Sequence, residues 1–396
     1  MIREGQIGKV DIEQINLSWT EQELPQRLRT KHVHGLHPYL GKFIPQLAEI
    51  FLRYYFEPGQ RVLDPFVGSG TTLVEANVLG IRSVGIDISE FNCLLSRVKT
   101  AKYELGLLRR EIFDILERVK QASSSQLSLQ LPLMPALREK RAEYIGTSEY
   151  LERWYAPQAR LELLTYRDLI PEYEYQDVLK VILSRAARSA RQVPHYELDR
   201  PKEPVREPYY CHKHKRICYP VTEALKFLER YSYDVYRRIR AFQTLRKEVE
   251  VKVIHGDART VQLEGQFDGI LTSPPYVGLI DYHEQHRYAY ELLGLKDLSH
   301  LEIGPLSEGQ SERAKASYVQ DMVEVFRNLL PYIRERGVII FIVNDKFGLY
   351  DKIISSAQLR LEKRITRQVN RRTGRRSSEF EEDILIMRKG SRSYEG

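Results

Sequence analysis

One short segment of the sequence combines a hydroxyl group, a rigid backbone and an aromatic ring. It reads Ser273-Pro274-Pro275-Tyr276 and follows an apolar run that predicts a β-strand. Two successive prolines fix the backbone and leave its carbonyl groups without neighbouring donors. A fixed carbonyl and the serine hydroxyl can together accept both hydrogens of an aromatic amine. The Tyr276 ring can stack on the aromatic ring that carries this amine, such as a nucleic-acid base, an interaction worth about 1–3 kcal/mol. The segment therefore predicts an amine-binding, base-stacking site, with a generic proline turn as the alternative.

A glycine-rich turn lies much earlier in the chain. The segment 64–71, Asp-Pro-Phe-Val-Gly-Ser-Gly-Thr, follows another apolar run and precedes a helix-forming one. Its glycines permit a tight turn, and the N–H groups of a helix N-terminus can bind a phosphate or a carboxylate. The segment matches neither the dinucleotide-binding fingerprint nor the phosphate-binding loop of nucleotide hydrolases. Asp87 ends the next apolar run, where its carboxylate can accept both hydroxyls of a ribose or cap the following helix.

These segments, in this order, resemble the class I S-adenosylmethionine-dependent methyltransferases, specifically the branch that methylates exocyclic amines of DNA. The resemblance covers about residues 32–100 and 251–388. It implies S-adenosylmethionine as the cofactor, with Asp64 and Gly68 along its amino-acid part and Asp87 on its ribose. Asp257 would face the adenine amino group, unless it is only a turn residue. The cofactor-binding residues that the resemblance implies are Tyr39, Lys42, Phe43, Asp64, Pro65, Phe66, Gly68, Ser69, Gly70, Thr71, Asp87, Ile88, Asp257 and Ala258.

The Ser-Pro-Pro-Tyr segment is similar to the catalytic signature of that family, in which serine at the first position occurs mostly in cytosine-N4 enzymes. The resemblance implies direct methyl transfer to the N4 amine of a cytosine flipped out of duplex DNA, with Ser273, Pro274, Pro275 and Tyr276 as the catalytic residues. Methylation of cytosine C5 would need a nucleophilic cysteine after a proline, and none of the three cysteines has that context. The alternatives are an adenine-N6 DNA methyltransferase and a catalytically silent DNA-binding subunit of a defence system. An RNA guanine-N2 enzyme fits less well, because such enzymes usually carry Asp-Pro-Pro-Tyr.

The charge of the chain is compatible with a polyanionic partner. Its formal net charge is +7 over 396 residues. A polar segment after Tyr276 and an arginine cluster near the C-terminus are candidates for contact with the substrate: Asp281, Tyr282, His283, Arg371, Arg372, Arg375 and Arg376. The expected partner is double-stranded DNA. No convincing nuclease motif is found, so any cognate restriction endonuclease is expected to be a separate protein, in restriction–modification or phage defence.

Four potential metal ligands lie close together in the sequence, namely Cys211, His212, His214 and Cys218. A structural zinc site usually needs two separated pairs of ligands, whereas these fall within a single short basic stretch. We therefore expect a DNA-facing loop here and no metal ion, with zinc as the alternative. Three cysteines in 396 residues fit a reducing cytoplasm. No apolar run approaches the roughly 18–20 residues that span a bilayer, so no membrane association is expected.

The elements that must position these residues follow from hydrophobic periodicity. Strands are predicted at 61–64, 83–87, 251–254, 267–271, 338–343 and 383–387, and helices at 44–56, 71–79, 107–121 and 221–249. The strand–helix–strand pattern predicts an α/β fold, a Rossmann-like class I methyltransferase sheet of about seven mostly parallel strands with a large, mainly helical insertion. The predicted organisation is an N-terminal extension at 1–31, a first catalytic part at 32–101, the insertion as a target-recognition region at 102–250, and a second catalytic part at 251–396.

Overall fold

The computed structural model describes residues 11–41, 43–127, 148–370 and 379–390. Nine strands are found in these ranges: β1 Arg61–Asp64, β2 Arg82–Asp87, β3 Tyr209–Cys211, β4 Arg216–Cys218, β5 Val251–His255, β6 Phe267–Thr272, β7 Ile333–Val343, β8 Leu359–Val369 and β9 Phe380–Lys389. Seven of them form one sheet in the order β5-β2-β1-β6-β7-β9-β8, and β3 and β4 form a separate hairpin. Six strands of the large sheet run in the same direction, and β9 runs in the opposite direction between β7 and β8. The predicted α/β fold with about seven mostly parallel strands is thus confirmed.

The helices of the described ranges surround this sheet. They are α1 Gln26–Arg29, α2 Pro45–Tyr55, α3 Thr71–Val78, α4 Glu90–Thr100, α5 Leu105–Leu127, α6 Glu149–Trp154, α7 Pro157–Leu169, α8 Gln176–Ala190, α9 Leu225–Gln243, α10 Tyr282–Gln285, α11 Arg287–Leu293, α12 Glu312–Leu329 and α13 Tyr350–Ser356. None of these helices is both long and apolar enough to cross a membrane. Helix α9 is shorter than the predicted 221–249, and beyond its end the backbone N–H and carbonyl of Lys247 pair with the side chain of Asn77, both at 3.1 Å.

Strand β7 shows why the centre of the sheet is stable. Its residues 337–343 are all buried, as expected for a strand with helices on both faces. Because side chains alternate along a strand, Ile340 and its i±2 neighbours pack on the side of α2, whereas Phe341 packs on the side of α12. The Phe341 ring stacks on Phe326 of α12 with 5.0 Å between ring centroids. The two faces therefore bury separate hydrophobic clusters.

Strand β8 was not predicted. Its sequence is rich in charged residues and most of its side chains are exposed, so its hydrophobic pattern is weak. It forms because its backbone pairs with β9 from Leu359 to Val369. The N-terminal segment runs beside this edge strand: Lys363 Nζ donates to Asp11 at 2.7 Å, and the Gln368 N–H donates to Ser18 Oγ at 2.9 Å. The unpaired edge is thereby partly covered, which is how proteins commonly protect edge strands.

Helices α5 to α9 and the β3–β4 hairpin lie between the first and second parts of the sheet in the sequence. Their apolar side chains form a third hydrophobic cluster, which includes Phe91 of α4, Ile112 of α5, Leu183 of α8 and Tyr288 of α11. The helical segment therefore packs directly on the helices that flank the sheet. The division of the chain at 31, 101 and 250 stays a prediction.

Candidate active site

The carboxyl ends of β1, β2, β5 and β6 open onto a cleft of about 770 Å³. In open α/β sheets ligands bind at this edge, because the connecting loops diverge there. Fourteen of the residues predicted to bind cofactor or substrate line it: Tyr39, Phe43, Pro65, Phe66, Gly68, Ser69, Thr71, Asp87, Ile88, Asp257, Ala258, Ser273, Pro275 and Tyr282. The sequence analysis missed seven others: Gly41, Val67, Asn92, Gly256, Leu301, Glu302 and Ile303. Val67 and Gly256 lie within or beside predicted cofactor segments, whereas Asn92, Leu301, Glu302 and Ile303 lie away from them in the sequence.

The turn from β1 into α3 depends on two glycines. Gly68 and Gly70 have φ values of +47° and +78°, which L-residues with a side chain rarely adopt. A Cβ atom on Gly68 would lie 2.9 Å from the Tyr39 hydroxyl oxygen, and one on Gly70 would lie 3.2 Å from the Cα of Ser96. Gly70 therefore shapes the turn without lining the cleft. The turn brings the N-terminus of α3 to the edge of the sheet.

Asp87 lies at the end of β2, partly buried beside the glycine turn. Its Oδ2 accepts the Gly68 N–H at 2.8 Å, and its Oδ1 accepts the Ser89 N–H at 2.8 Å and the Asn92 side-chain amide at 3.1 Å. Burial raises the pKa of Asp87, and the two backbone N–H groups oppose that shift by stabilising the carboxylate. Oδ1 thus accepts two hydrogen bonds and Oδ2 one, so Oδ2 retains a lone pair that can accept a hydroxyl hydrogen.

Asp64 does not line the cleft but lies behind it, with 1% of its surface exposed. Thr272 at the end of β6 donates its hydroxyl to Asp64 Oδ1 at 2.6 Å. Burial raises the pKa of Asp64 to about 6, although the hydroxyl groups of Thr272 and Thr72 and the Phe66 N–H favour the charged form. Asp64 therefore joins the ends of two adjacent strands and positions the residue that follows Thr272.

Asp257 follows β5 and lines the opposite side of the cleft. Arg259 binds both of its carboxylate oxygens, with Nη2–Oδ2 and Nε–Oδ1 distances of 2.7 and 3.1 Å. Arg259 also donates to Asp321 at 2.6 Å and to the Leu301 carbonyl at 3.0 Å. These acidic partners raise the pKa of the arginine, against the effect of its burial. Asp257 is thus held in place by a cation rather than by a turn alone.

The Ser-Pro-Pro-Tyr segment forms the mouth of the cleft. Ser273 and Pro275 line it, whereas Pro274 and Tyr276 do not. The Ser273 Oγ lies 3.4 Å from the Tyr276 hydroxyl oxygen. The Pro275 carbonyl accepts the Tyr318 hydroxyl at 2.9 Å. No donor among the described residues pairs with the Pro274 carbonyl.

A buried ion pair supports this segment from the far half of the sheet. Arg367 of β8 donates to Glu382 of β9 at 2.5 and 3.0 Å, and the two residues are 3% and 7% exposed. The other carboxylate oxygen of Glu382 accepts the Tyr276 hydroxyl at 3.4 Å. Sequence analysis missed the pair because it did not predict β8, the strand that carries the arginine. Opposite charges at paired strand positions would have been the signal.

The predicted substrate contacts, together with the predicted cofactor contact Lys42, divide into four groups. Tyr282 lines the cleft, with its ring stacked 6.1 Å from that of Tyr39. His283 is buried and binds Glu302 through its Nδ1, and the Glu302 carboxylate also accepts the backbone N–H groups of residues 282 and 283, so this histidine braces α10. Asp281 accepts the Ser307 N–H at 3.1 Å outside the cleft. Lys42, Arg371, Arg372, Arg375 and Arg376 lie outside the described residues.

The cleft contains polar atoms that lack partners. The Ser69 hydroxyl is 2% exposed, and neither it nor the Asn92 carbonyl oxygen has a hydrogen-bond partner among the described residues. Leaving such groups unpaired costs about 1–3 kcal/mol each. A bound ligand that carries an amine, a hydroxyl or a carboxylate would pair with them. The donors and acceptors of this cleft therefore fit a polar cofactor such as S-adenosylmethionine.

Similarity to known proteins agrees with this geometry. Residues 7–97 match the family model N6_N4_Mtase, described as DNA methylase. Over 92% of its length the chain is 39% identical to the Type II methyltransferase M.MjaII of Methanocaldococcus jannaschii, of which it covers 82%. The chain belongs to the DNA amino-methyltransferase family. The methyltransferase is also 25% identical to the Type II methyltransferase M.MvaI of Kocuria varians, over 40% of this chain and 34% of that protein.

Among solved structures, the methyltransferase is similar to the rRNA methyltransferase aviRa from Streptomyces viridochromogenes. The two have a TM-score of 0.34 and 12% sequence identity, with 89% of this chain and 88% of the other covered. Methyltransferases of this family take the methyl group from S-adenosylmethionine, so the cofactor predicted from the sequence is confirmed at the level of the family.

Proposed function

We propose that the methyltransferase transfers a methyl group from S-adenosylmethionine to the N4 amine of a cytosine flipped out of duplex DNA. The observation that carries this proposal is that Ser273 lines the cleft and is followed by Pro274, whose carbonyl has no hydrogen-bond partner among the described residues. An exocyclic amine has two hydrogens, and two acceptors side by side can bind both. The nitrogen lone pair is then free to attack the methyl group on the sulfonium.

The proposed cofactor contacts follow from the positions of the side chains around the cleft. The N–H groups at the start of α3 suit the cofactor carboxylate, because a helix N-terminus stabilises negative charge. Asp87 would accept a ribose hydroxyl through the remaining lone pair of its Oδ2. Ser69 would pair its free hydroxyl with the amino-acid part, and Asp257 would lie near the adenine. Asp64 acts through Thr272, so we assign it a positioning role.

Tyr276 is proposed to stack on the flipped base. Its hydroxyl reaches Glu382 and Ser273, both at 3.4 Å. These contacts limit rotation of the ring and so lower the entropy that base binding must remove. The choice of cytosine over adenine rests on Ser273 alone: no carboxylate or amide stands at the first position of the motif to accept a hydrogen more strongly. Adenine-N6 methylation is the alternative outcome.

A groove of about 1930 Å³, lined in part by residues 279–281 after the Ser-Pro-Pro-Tyr segment, is the proposed site for the duplex. It lies between the helical insertion and the segment after Tyr276, and both basic and acidic side chains line it. Within the part of the chain that the structure describes, Arg200 and Lys202 form no ion pair, so their charges are available for phosphates. Because relatives bear the name Type II methyltransferase, we propose a role in restriction–modification, with any endonuclease on a separate chain.

The test is a methylation reaction with a mass readout. The purified protein is incubated with S-adenosylmethionine carrying a deuterated methyl group and with unmethylated duplex DNA of mixed sequence, and the DNA is digested to nucleosides. We expect labelled N4-methyldeoxycytidine. Labelled N6-methyldeoxyadenosine would overturn the choice of base, and labelled 5-methyldeoxycytidine would overturn the mechanism. Unlabelled DNA from a protein that binds S-adenosylmethionine would instead favour a silent DNA-binding subunit.

A further inference from the structure

Four soft or borderline metal ligands converge at the β3–β4 hairpin, far along the chain from the catalytic motifs. They are His195, from the loop after α8, and Cys211, His214 and Cys218 of the hairpin. One ligand atom from each lies within 4.8 Å of every other. His212, which sequence analysis grouped with the cysteines, is not part of this set: its ring is exposed and lies 5.2 Å from that of Tyr210. The tertiary structure thus replaces one ligand of the predicted group.

The distances within the cluster match those expected around one zinc ion. Tetrahedral coordination with a Zn–S bond of about 2.3 Å and a Zn–N bond of about 2.0–2.1 Å places sulfur and nitrogen about 3.6 Å apart. The distance from Cys211 Sγ to the Nδ1 atoms of His195 and His214 is 3.7 and 3.6 Å, and Cys218 Sγ lies 3.5 Å from His214 Nδ1. All three distances agree with shared coordination to within 0.1–0.2 Å of this expectation, about the tolerance used for metal sites.

Ordinary hydrogen bonds account poorly for this convergence. The Nδ1 atom of a neutral histidine has either one hydrogen or one lone pair, yet His214 Nδ1 faces both sulfur atoms. His195 Nδ1 also lies 3.0 Å from the Tyr209 hydroxyl oxygen, which accepts the His195 backbone N–H at 3.2 Å. If a metal ion were bound, the lone pair of His195 Nδ1 would face the metal. The Tyr209 hydroxyl would still accept the His195 backbone N–H.

The β3–β4 hairpin itself contains little regular structure. Between α8 and α9 the regular structure consists of two strands of three residues each. An isolated two-stranded hairpin is at best marginally stable in water. Cys211 and Cys218 are 0% and 6% exposed, whereas Ile217 of β4 is 55% exposed. The hairpin therefore buries its cysteine side chains but few apolar ones. A metal ion would supply the missing stabilisation.

We propose that His195, Cys211, His214 and Cys218 bind one Zn²⁺ ion in a structural site. Two thiolates and two imidazole nitrogens form a ligand set that structural zinc sites use, and four protein ligands leave no open position for catalysis. Binding releases the two thiol protons to solvent. None of the four residues lines the catalytic cleft, so the metal would have a structural role outside the proposed reaction site.

The first experiment measures zinc by inductively coupled plasma mass spectrometry in the untagged full chain, purified under reducing conditions without chelator. We expect one zinc ion per chain in the wild type and none in Cys211→Ser or Cys218→Ser. His212→Asn is the matched control for His214→Asn, because it changes a histidine of the same hairpin that lies outside the cluster. The control should retain its zinc and His214→Asn should lose most of it. Wild-type protein that contains no zinc even after incubation with zinc chloride would overturn the proposal.

A second measurement keeps the test valid where a cysteine variant fails to fold. Cobalt is exchanged into the wild-type chain, and we expect tetrahedral d–d bands together with thiolate-to-cobalt charge transfer. An octahedral spectrum without charge transfer, or zinc retained by both cysteine variants, would contradict the assignment. A count of one free thiol instead of three, measured in chain denatured with a chelator and without reductant, would point to a Cys211–Cys218 disulfide and would also overturn it. Binding of S-adenosylmethionine by each variant separates loss of metal from loss of the catalytic fold.

Discussion

The carboxyl edge of the sheet and the β3–β4 hairpin both bring polar side chains together, but by different means. At the sheet edge, the motif residues Asp64, Asp87, Asp257 and Ser273 lie at or just after the ends of strands, so the parallel order of the strands places them near one another. Short internal hydrogen bonds such as Thr272–Asp64 then set their orientation. In the hairpin, strands of three residues provide little framework, and the convergence depends on side chains such as His195 that come from elsewhere. At the sheet edge, the strand order brings the residues of short motifs together. In the hairpin region, the residues are held together by direct contacts between their side chains.

The largest expected effect comes from the buried ion pair behind the sheet edge. Glu382→Leu leaves Arg367 buried without its partner, and we expect the free energy of unfolding to fall by about 3–5 kcal/mol. The double variant Arg367→Met and Glu382→Leu should recover most of this loss, because neither charge is then buried. Urea unfolding followed by fluorescence measures both. Equal losses in the single and double variants would show that packing, and not the unpaired charge, is responsible.

Asp64, at the same edge of the sheet, should make the free energy of unfolding depend on pH. Burial raises its pKa to about 6 in the folded chain, from 3.8 when exposed. The folded state therefore holds a proton that the unfolded state has already lost, and the stability from this group falls as pH rises from 4 to 7. Relative to Asp64→Asn, the wild type should lose up to about 3 kcal/mol of unfolding free energy over this range.

Urea unfolding of both proteins at several pH values between 4 and 7 tests this prediction. The difference between the two proteins cancels the titration of other groups. A constant difference across the range would mean that Asp64 titrates near its ordinary pKa and that Thr272 stabilises its charge fully. The positioning role of Asp64 would then rest on the charged form.

A smaller effect is expected at Tyr276 and rests on the proposed function. Tyr276→Ala removes a stacking interaction worth about 1–3 kcal/mol, so kcat/KM for DNA methylation should fall about 5- to 150-fold. Affinity for S-adenosylmethionine should not change, because Tyr276 does not line the cleft. Tyr276→Phe is the control: it keeps the ring and loses only the hydroxyl contacts, so it should stay within a few-fold of the wild type. A phenylalanine variant as inactive as the alanine variant would assign the main role to the hydroxyl.

The smallest effect is expected from the charges in the groove beside the insertion. Replacing Arg200 and Lys202 by glutamine should lower the slope of log affinity against log salt by about 0.9 for each lost phosphate contact. Arg360→Gln, an exposed residue of β8 that lies outside the groove, is the control and should not change the slope. Fluorescence anisotropy with a labelled duplex at several salt concentrations measures this. An unchanged slope in the double variant would place the duplex elsewhere.

Much of the catalytic edge could be predicted because its signals are local. A strand followed by Gly-Ser-Gly or by Ser-Pro-Pro-Tyr specifies both an element and the turn after it. β8 could not be predicted, since its alternating charged residues form a strand only when β9 offers its backbone. The buried Arg367–Glu382 pair was missed for the same reason. The predicted limits of α9 were wrong. The helix ends at Gln243, and the backbone of Lys247 instead forms hydrogen bonds with the side chain of Asn77 in α3.

The sequence by itself determined the fold class, the family resemblance and the order of the motifs around the cleft, because these depend on local periodicity and on residues that are neighbours along the chain. Tertiary structure alone decided which polar groups face each other: that Asp64 lies behind the cleft with Thr272, that Arg259 binds Asp257, and that His195 rather than His212 joins the two cysteines. The physical reason is that a hydrogen bond or a metal bond requires atoms to approach within a few ångströms. Residues 16 positions apart, such as His195 and Cys211, meet only when the chain between them has folded.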